Sequence, residues 1–462
     1  MLTSTLENIP DELFLSITAC LMSHELASLM RTCRRFNALI EHILWTDIEL
    51  HEQGFHESSM ELDDPPPFIP PSQRRYHRKQ SWGWGQGAQH KAGKLFCLLQ
   101  QLHVEDPNRM QELAKRVRNL CTVIEPQTRP RDDINIQIWQ LLPFFTNLET
   151  LELHGNSYYS SKHEKTTPEF TAAPLKLRFA KLFGYIPKSV ARWVLRGGAS
   201  LERLELGMLD RPISTNDSSK PEFSPLPEET LAGPDDEDYD WGSLDGESVI
   251  PRPQSNFLPD PSEYTLSSVK HMYLCQPSPG DYSRAARDYT WSTRAEDACL
   301  SDWRSMLLAT GPTLETLVLE QRPAAAYIEN DCLSEVEFLR TDTGGSGNGP
   351  LVRMVERLIY NKVLPELKKV YLYGMVVGED LSGRPSEGVP AGRLMRLLEA
   401  NGVQCEARLG KWCFFDDDPG WTQWARWHGT DDQDDEDDDE EEDEDDNDIE
   451  SKMKWHDLLA SV

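Results

Sequence analysis

The chain has 462 residues, 38% of them hydrophobic, and a formal net charge of −31 from 78 acids against 47 bases. Residues 431–448 hold 16 of the acids and no base, and residues 210–262 hold 13 acids with three bases, so the rest of the chain is nearly balanced at 49 acids to 44 bases. This balance disfavours a net-basic nucleic-acid binder, because phosphate contact needs clustered Lys and Arg.

Nothing at Met1–Asn8 has the basic start and apolar core of a secretory signal. No apolar run approaches the ~20 residues of a membrane span. Nine cysteines are scattered through apolar patterns, as reduced, packed cysteines are inside a cell. The expected location is therefore cytoplasmic and/or nuclear, with no membrane partner.

In chain order, Ile9-Pro10-Asp11-Glu12 opens a helix, since Pro suits the first helical position and acids suit the first turn. Leu13, Ile17 and Leu21 recur every four residues on one face. Ser23 caps a second helix with Leu26, Leu29, Met30 and Cys33 as its apolar face. Phe36, Leu39, Ile40 and Ile43 mark a third. Three short helices in about 45 residues bury too little surface to stand alone, so they need either the following domain or another protein.

These residues resemble an F-box. The match lies in Leu6-x-x-Ile9-Pro10-x-Glu12-Leu13, the Ile17 and Leu21 spacing, Leu26-x-x-Leu29, Thr32-Cys33-Arg34-Arg35-Phe36 and Leu44-Trp45, about a tenth of the chain. Two departures are Ile9, where Leu is usual, and Ser23-His24-Glu25, where an Asp-Pro-like turn is commoner. The resemblance implies that residues 1–50 bind the Skp adaptor of a cullin-based ubiquitin ligase. By the same carry-over Pro10, Leu13, Ile17, Leu21 and Leu26 are the adaptor contacts. The competing reading is a helical cap for the domain that follows.

Residues 51–92 read as a linker, with Pro65-Pro66-Pro67 and Pro70-Pro71 favouring extended chain. The basic cluster Arg74–Lys79 is either solvated linker or a nuclear localisation signal. Helical patterning resumes at 94–102 and 110–117. Residues 93–430 then repeat one phrase. Leu148-x-x-Leu151-x-Leu153-x-x-Asn156 is a full leucine-rich phrase, and its strand recurs at Leu201-x-x-Leu204-x-Leu206, Val269-x-x-Met272-x-Leu274, Leu314-x-x-Leu317-x-Leu319 and Leu367-x-x-Val370-x-Leu372. Weaker copies lie at Val117–Val123, Leu182–Tyr185 and Val403–Leu409, with helical segments between the copies at 134–145, 188–196, 300–309, 351–363 and 393–400. Recurring strand and helix predict parallel strands side by side with helices outside. The expected fold is α/β: a three-helix F-box, then an irregular leucine-rich-repeat-like solenoid interrupted by an acidic, disordered insertion at 210–262. A generic parallel α/β domain is the alternative for the same strands.

The leucines of each strand point to the core, so the alternate residues are expected to face solvent on the concave side. They are Thr150, Glu152 and His154; Arg203 and Glu205; His271 and Tyr273; Thr316, Val318 and Glu320; and Lys369, Tyr371 and Tyr373. As a set they suit a protein target. No metal spacing, hydrolase elbow or phosphate loop occurs, so no catalytic residue, metal or cofactor is expected. Trp412, Trp421, Trp424 and Trp427 read as a cap on the last repeat, with a carbohydrate or peptide platform as the alternative, and residues 431–462 as an acidic disordered tail. The functional expectation is a substrate receptor of a Skp–cullin–F-box ligase. Its alternative is a repeat scaffold outside any ligase, with the tail engaging basic proteins.

Overall fold

A computed structural model describes residues 9–18, 20–21, 23–49, 85–124, 138–155, 170–209, 254, 257–258, 266–278, 293–325, 349–375, 377–378, 385–408 and 413–414. The expected proline-rich linker up to residue 84, most of the acidic insertion, the tryptophan cluster and the acidic tail lie outside these residues.

Three N-terminal helices, α1 (Asp11–Thr18), α2 (Ser23–Met30) and α3 (Arg34–Thr46), run directly into the first strand, β1 (Asp47–Glu49). Helices α4 (Gly85–Glu105) and α5 (Pro107–Arg116) follow. Asp106 caps α5 by accepting from the Arg109 amide at 3.0 Å, with Pro107 in the first turn where no amide partner is needed. The strands β2 (Asn119–Ile124), β3 (Thr150–Gly155), β4 (Phe179–Tyr185), β5 (Arg203–Leu209), β6 (His271–Ser278), β7 (Thr316–Ala325), β8 (Lys369–Tyr373) and β9 (Gln404–Arg408) then join β1 in one parallel sheet, ordered β1 to β9 as in the chain. A short β10 (Cys413–Phe414) pairs with the end of β7.

Register follows the repeated phrase. Ile48, Leu120, Leu151, Ala180, Leu204, Met272, Leu317, Val370 and Cys405 stand in one row across the sheet. The fourth centre is therefore Ala180, and Leu182, where the expected weaker copy starts, pairs with Leu153. Leu177-x-x-Ala180-x-Leu182 is a complete phrase with a small residue at its middle. The first strand also carries the start of a copy, Trp45-x-x-Ile48, directly after the third helix.

The connections carry a 3-10 segment at Ile138–Phe144 and helices α6 (Lys188–Arg196), α7 (Thr293–Thr310), α8 (Gly349–Tyr360) and α9 (Pro390–Ala400). Their buried faces, including Leu142, Trp193, Met306, Val355 and Leu394, share one apolar core with the leucine rows of the strands and with Trp45 and Ile48. One repeat cannot cover its own leucines, so burial is completed only by stacking the next. Of the helix predicted over 134–145, the described part Ile138–Phe144 is a 3-10 segment instead, and Pro143 within it removes an amide donor that an α-helix would use.

Two boundaries differ from expectation. Helix α4 begins at Gly85, within the stretch assigned to the linker. The acidic insertion returns to the core before residue 262: Phe257 is fully buried, its amide donates to Asp302 Oδ2 at 3.1 Å, and its carbonyl accepts from Arg192 Nε at 3.2 Å. Gln254 joins the same site, its amide donating to the Met208 carbonyl at 3.0 Å. The average polarity of the insertion hides this short apolar anchor.

Candidate functional site

The N-terminal helices have their own small core. Phe14, Leu26, Met30, Phe36 and Ile40 are buried together, with Ile9, Leu21, Leu29 and Cys33 packed at its edge. The Phe14 and Phe36 rings stack at 4.3 Å. Arg35 fastens the start of α1: its guanidinium donates to the Asp11 carboxylate, at 3.1 Å through Nε, and to the Ile9 carbonyl. Sequence reasoning gives Arg35 no role of its own. Arg35→Met is expected to destabilise these helices by about 1 kcal/mol, because the pair is partly solvated. Thermal unfolding compared with the wild type measures it.

With Phe14 and Thr18 turned inward, Leu13 and Ile17 leave a neighbouring flank of α1 apolar and open, while Glu12 and Ser16 take the opposite side. Leu13 is 59% exposed and Ile17 49% exposed, and Pro10 is exposed just before them. Scattered exposed leucines are ordinary on a protein surface. Two large aliphatic side chains one turn apart behind an exposed proline form a continuous strip. Leu21 is half-buried, and Leu26 is only 6% exposed. Of the five expected adaptor contacts, the structure therefore places Pro10, Leu13 and Ile17 on an accessible face and Leu26 inside.

A model of the family described as F-box-like matches residues 6–51. Residues 6–51 form an F-box-like domain. No curated protein matches the chain.

The F-box-like domain is fixed to the sheet rather than tethered to it. Its last helix continues into β1, which pairs with β2, and the Arg118 amide donates to the Thr46 carbonyl at 2.8 Å. Glu41 of α3 accepts from Arg109 of α5 and forms an ion pair with Arg116 of the same helix at 2.8 Å. Burial alone would raise the Glu41 pKa. Pairing with the Arg116 and Arg109 guanidiniums outweighs it and holds the carboxyl below its ordinary range. A depressed folded pKa means that the pairing stabilises above the unfolded value, near 4, and is lost as pH falls through the folded value. Glu41→Gln is expected to lower the thermal midpoint at pH 7. The difference from wild type should close as the pH falls below about 4, as melts across a pH series would show.

The row of alternate strand residues differs most from expectation. Glu152, Glu205, Tyr273, Val318, Glu320, Tyr371 and Tyr373 are all buried, none more than 5% exposed. The solvated strand face predicted from alternation is thus absent along the middle of the sheet. The register supplies the physical reason. Once Ala180 aligns with Leu151 and Leu204, Lys181 falls between Glu152 and Glu205. Its Nζ lies 3.1 Å from Glu152 Oε1 and 3.8 Å from Glu205 Oε2. Arg203 Nε donates to Glu205 Oε1 at 2.7 Å, and the Tyr273 hydroxyl donates to the Glu320 carboxylate. Opposite charges on adjacent strands offset much of the desolvation that would otherwise keep each in water. The sequence pattern misses Lys181 because the expected copy starts at Leu182, whereas the strand begins at Phe179.

At the start of the strands Thr150, Arg203, His271 and Lys369 remain partly exposed, whereas Thr316 is buried. The side chain of His154 lies outside the described part of β3. Among the described residues no group of His, Cys, Asp and Glu is arranged to hold a metal, and no helix is long and apolar enough to cross a membrane.

Proposed function

We propose that this chain is the substrate-recognition subunit of a Skp–cullin–F-box ubiquitin ligase. One observation carries the reading: the segment matched by the F-box-like family presents Pro10, Leu13 and Ile17 as an open apolar strip, while Phe14, Leu26, Met30, Phe36 and Ile40 close a core. F-box domains typically bind the Skp adaptor, and such a strip suits an adaptor groove, where burial of aliphatic side chains supplies affinity. The chain then contributes no chemistry of its own. It accelerates ubiquitin transfer by other subunits by holding a target beside them.

The sheet of nine successive parallel strands is the leucine-rich-repeat-like part of this reading, and it would present the target. With the middle row buried, target contact falls to the rim at the strand starts, where Thr150, Arg203, His271 and Lys369 are partly exposed. Rigid attachment of the F-box-like domain through β1 sets the target at a fixed distance from the adaptor.

Recovery of the tagged chain from cells tests the assignment. Wild type is expected to retain the adaptor and a cullin, and Leu13→Glu with Ile17→Glu to lose both while keeping the target proteins. Retention of the same proteins by both forms, with no cullin in either, would instead support a scaffold outside any ligase.

A further inference from the structure

One residue occupies an equivalent position just before each of seven successive strands, and its charge alternates along the array. In order these residues are Arg118, Glu149, Arg178, Glu202, Lys270, Glu315 and Lys368. The backbone ties each to the next. The amides of Glu149, Arg178, Glu202, Lys270, Glu315 and Lys368 donate in turn to the preceding member's carbonyl, at 2.7–2.8 Å. The cations are exposed and the acids between them half-buried. Side chains meet as well. Arg118 pairs with Glu149, Arg178 makes two 3.0 Å hydrogen bonds to Glu202, and Lys368 Nζ lies 2.6 Å from Glu315 Oε2. Lys270 stands between Glu202 and Glu315. It helps to hold both carboxyls below their ordinary range, after the hydrogen bonds from Arg178 and Lys368 respectively.

We infer that this alternating ladder is a register code that specifies which strand pairs with which. The leucine rows cannot do so, because every copy offers nearly the same apolar phrase to its neighbours. An array that skipped one strand would keep its leucines aligned and bury similar surface. It would, however, set Glu202 beside Glu315, or Arg178 beside Lys270. Like charges at strand spacing oppose such pairing. The code matters most between β5 and β6, where the acidic insertion separates neighbours in the chain and short connections no longer enforce order. There Glu202 and Lys270 still meet with opposite sign.

Charge-inverted full-length chains test the inference. Half inversion (Arg118→Glu, Glu149→Arg, Arg178→Glu, Glu202→Arg) keeps those four complementary and creates one like-charged junction, against Lys270. Full inversion adds Lys270→Glu, Glu315→Lys and Lys368→Glu and restores alternation throughout. At low salt, full inversion should match the wild type in thermal midpoint and refolding yield. Half inversion should melt about 2–4 °C lower and refold less. The deficit should close in about 1 M salt, where the screening length is about 3 Å. A half-inverted chain that folds only in high salt, beside a normal full inversion, supports the inference equally. Half inversion equal to wild type at low salt, or full inversion no better than half, overturns it.

Discussion

Replacing Leu13 and Ile17 together with alanine is expected to weaken adaptor binding by on the order of 1–4 kcal/mol while leaving the unfolding midpoint of the chain in place. Both side chains project from α1 away from the core formed by Phe14, Leu26 and Met30. Truncating exposed side chains typically changes stability by no more than about 0.5 kcal/mol, so any lost affinity reports the interface and not the fold. Leu26→Ala supplies the contrast. It empties a buried site and is expected to destabilise the F-box-like domain by about 2–5 kcal/mol, weakening binding only through loss of folded domain. Calorimetric titration with purified adaptor, beside thermal melts of each variant, separates the two classes. If Leu13→Ala and Ile17→Ala bind as wild type does, the strip is not the adaptor face.

The second large effect lies in the sheet. Lys181→Met should destabilise the chain by about 3–5 kcal/mol, the usual consequence of removing one partner from a buried ion pair. Lys181 is fully buried between two carboxylates, and its removal leaves Glu152 and Glu205 without that cation in a site sealed from water. Adding Glu152→Gln to the same chain should recover part of the loss, because one of the two charges is then gone. Urea unfolding of the single and double variants reads this directly. A Lys181→Met midpoint equal to that of the wild type would show that the row is hydrated in solution and not part of the packed structure.

Much of this architecture is legible in the sequence because apolar spacing is strict where repeats must stack. The helix predicted at 188–196 is α6, and the strands at Leu151, Leu204, Met272, Leu317 and Val370 all lie in the expected row. Two copies are obscured by chemistry rather than by position. Ala180 is small where its neighbours are large, and Trp45-x-x-Ile48 reads equally well as the end of a helix. Misplacing Ala180 moves Lys181 out of the row it neutralises, and the row then looks like a solvated face. Alternation reports which side of a strand a residue occupies, not whether that side is wet.

The same limit applies to the F-box-like domain. Spacing groups Pro10, Leu13, Ile17, Leu21 and Leu26 on apolar faces, but only the packed helices separate the open strip from Leu26. The attachment through β1 also bears on how the domain is best probed. Deleting residues 1–50 would remove Trp45 and Ile48 from the main core and an edge strand from the sheet, so surface substitutions on α1 isolate adaptor contact more cleanly than truncation.

Direct titration of the full-length chain with purified Skp adaptor is the most decisive measurement. The proposed function predicts saturable one-to-one binding with a Kd on the order of 1 μM or tighter, abolished by Leu13→Glu with Ile17→Glu in a chain that still melts normally. Absence of binding by the folded wild type, under conditions where an established F-box protein saturates, would contradict it.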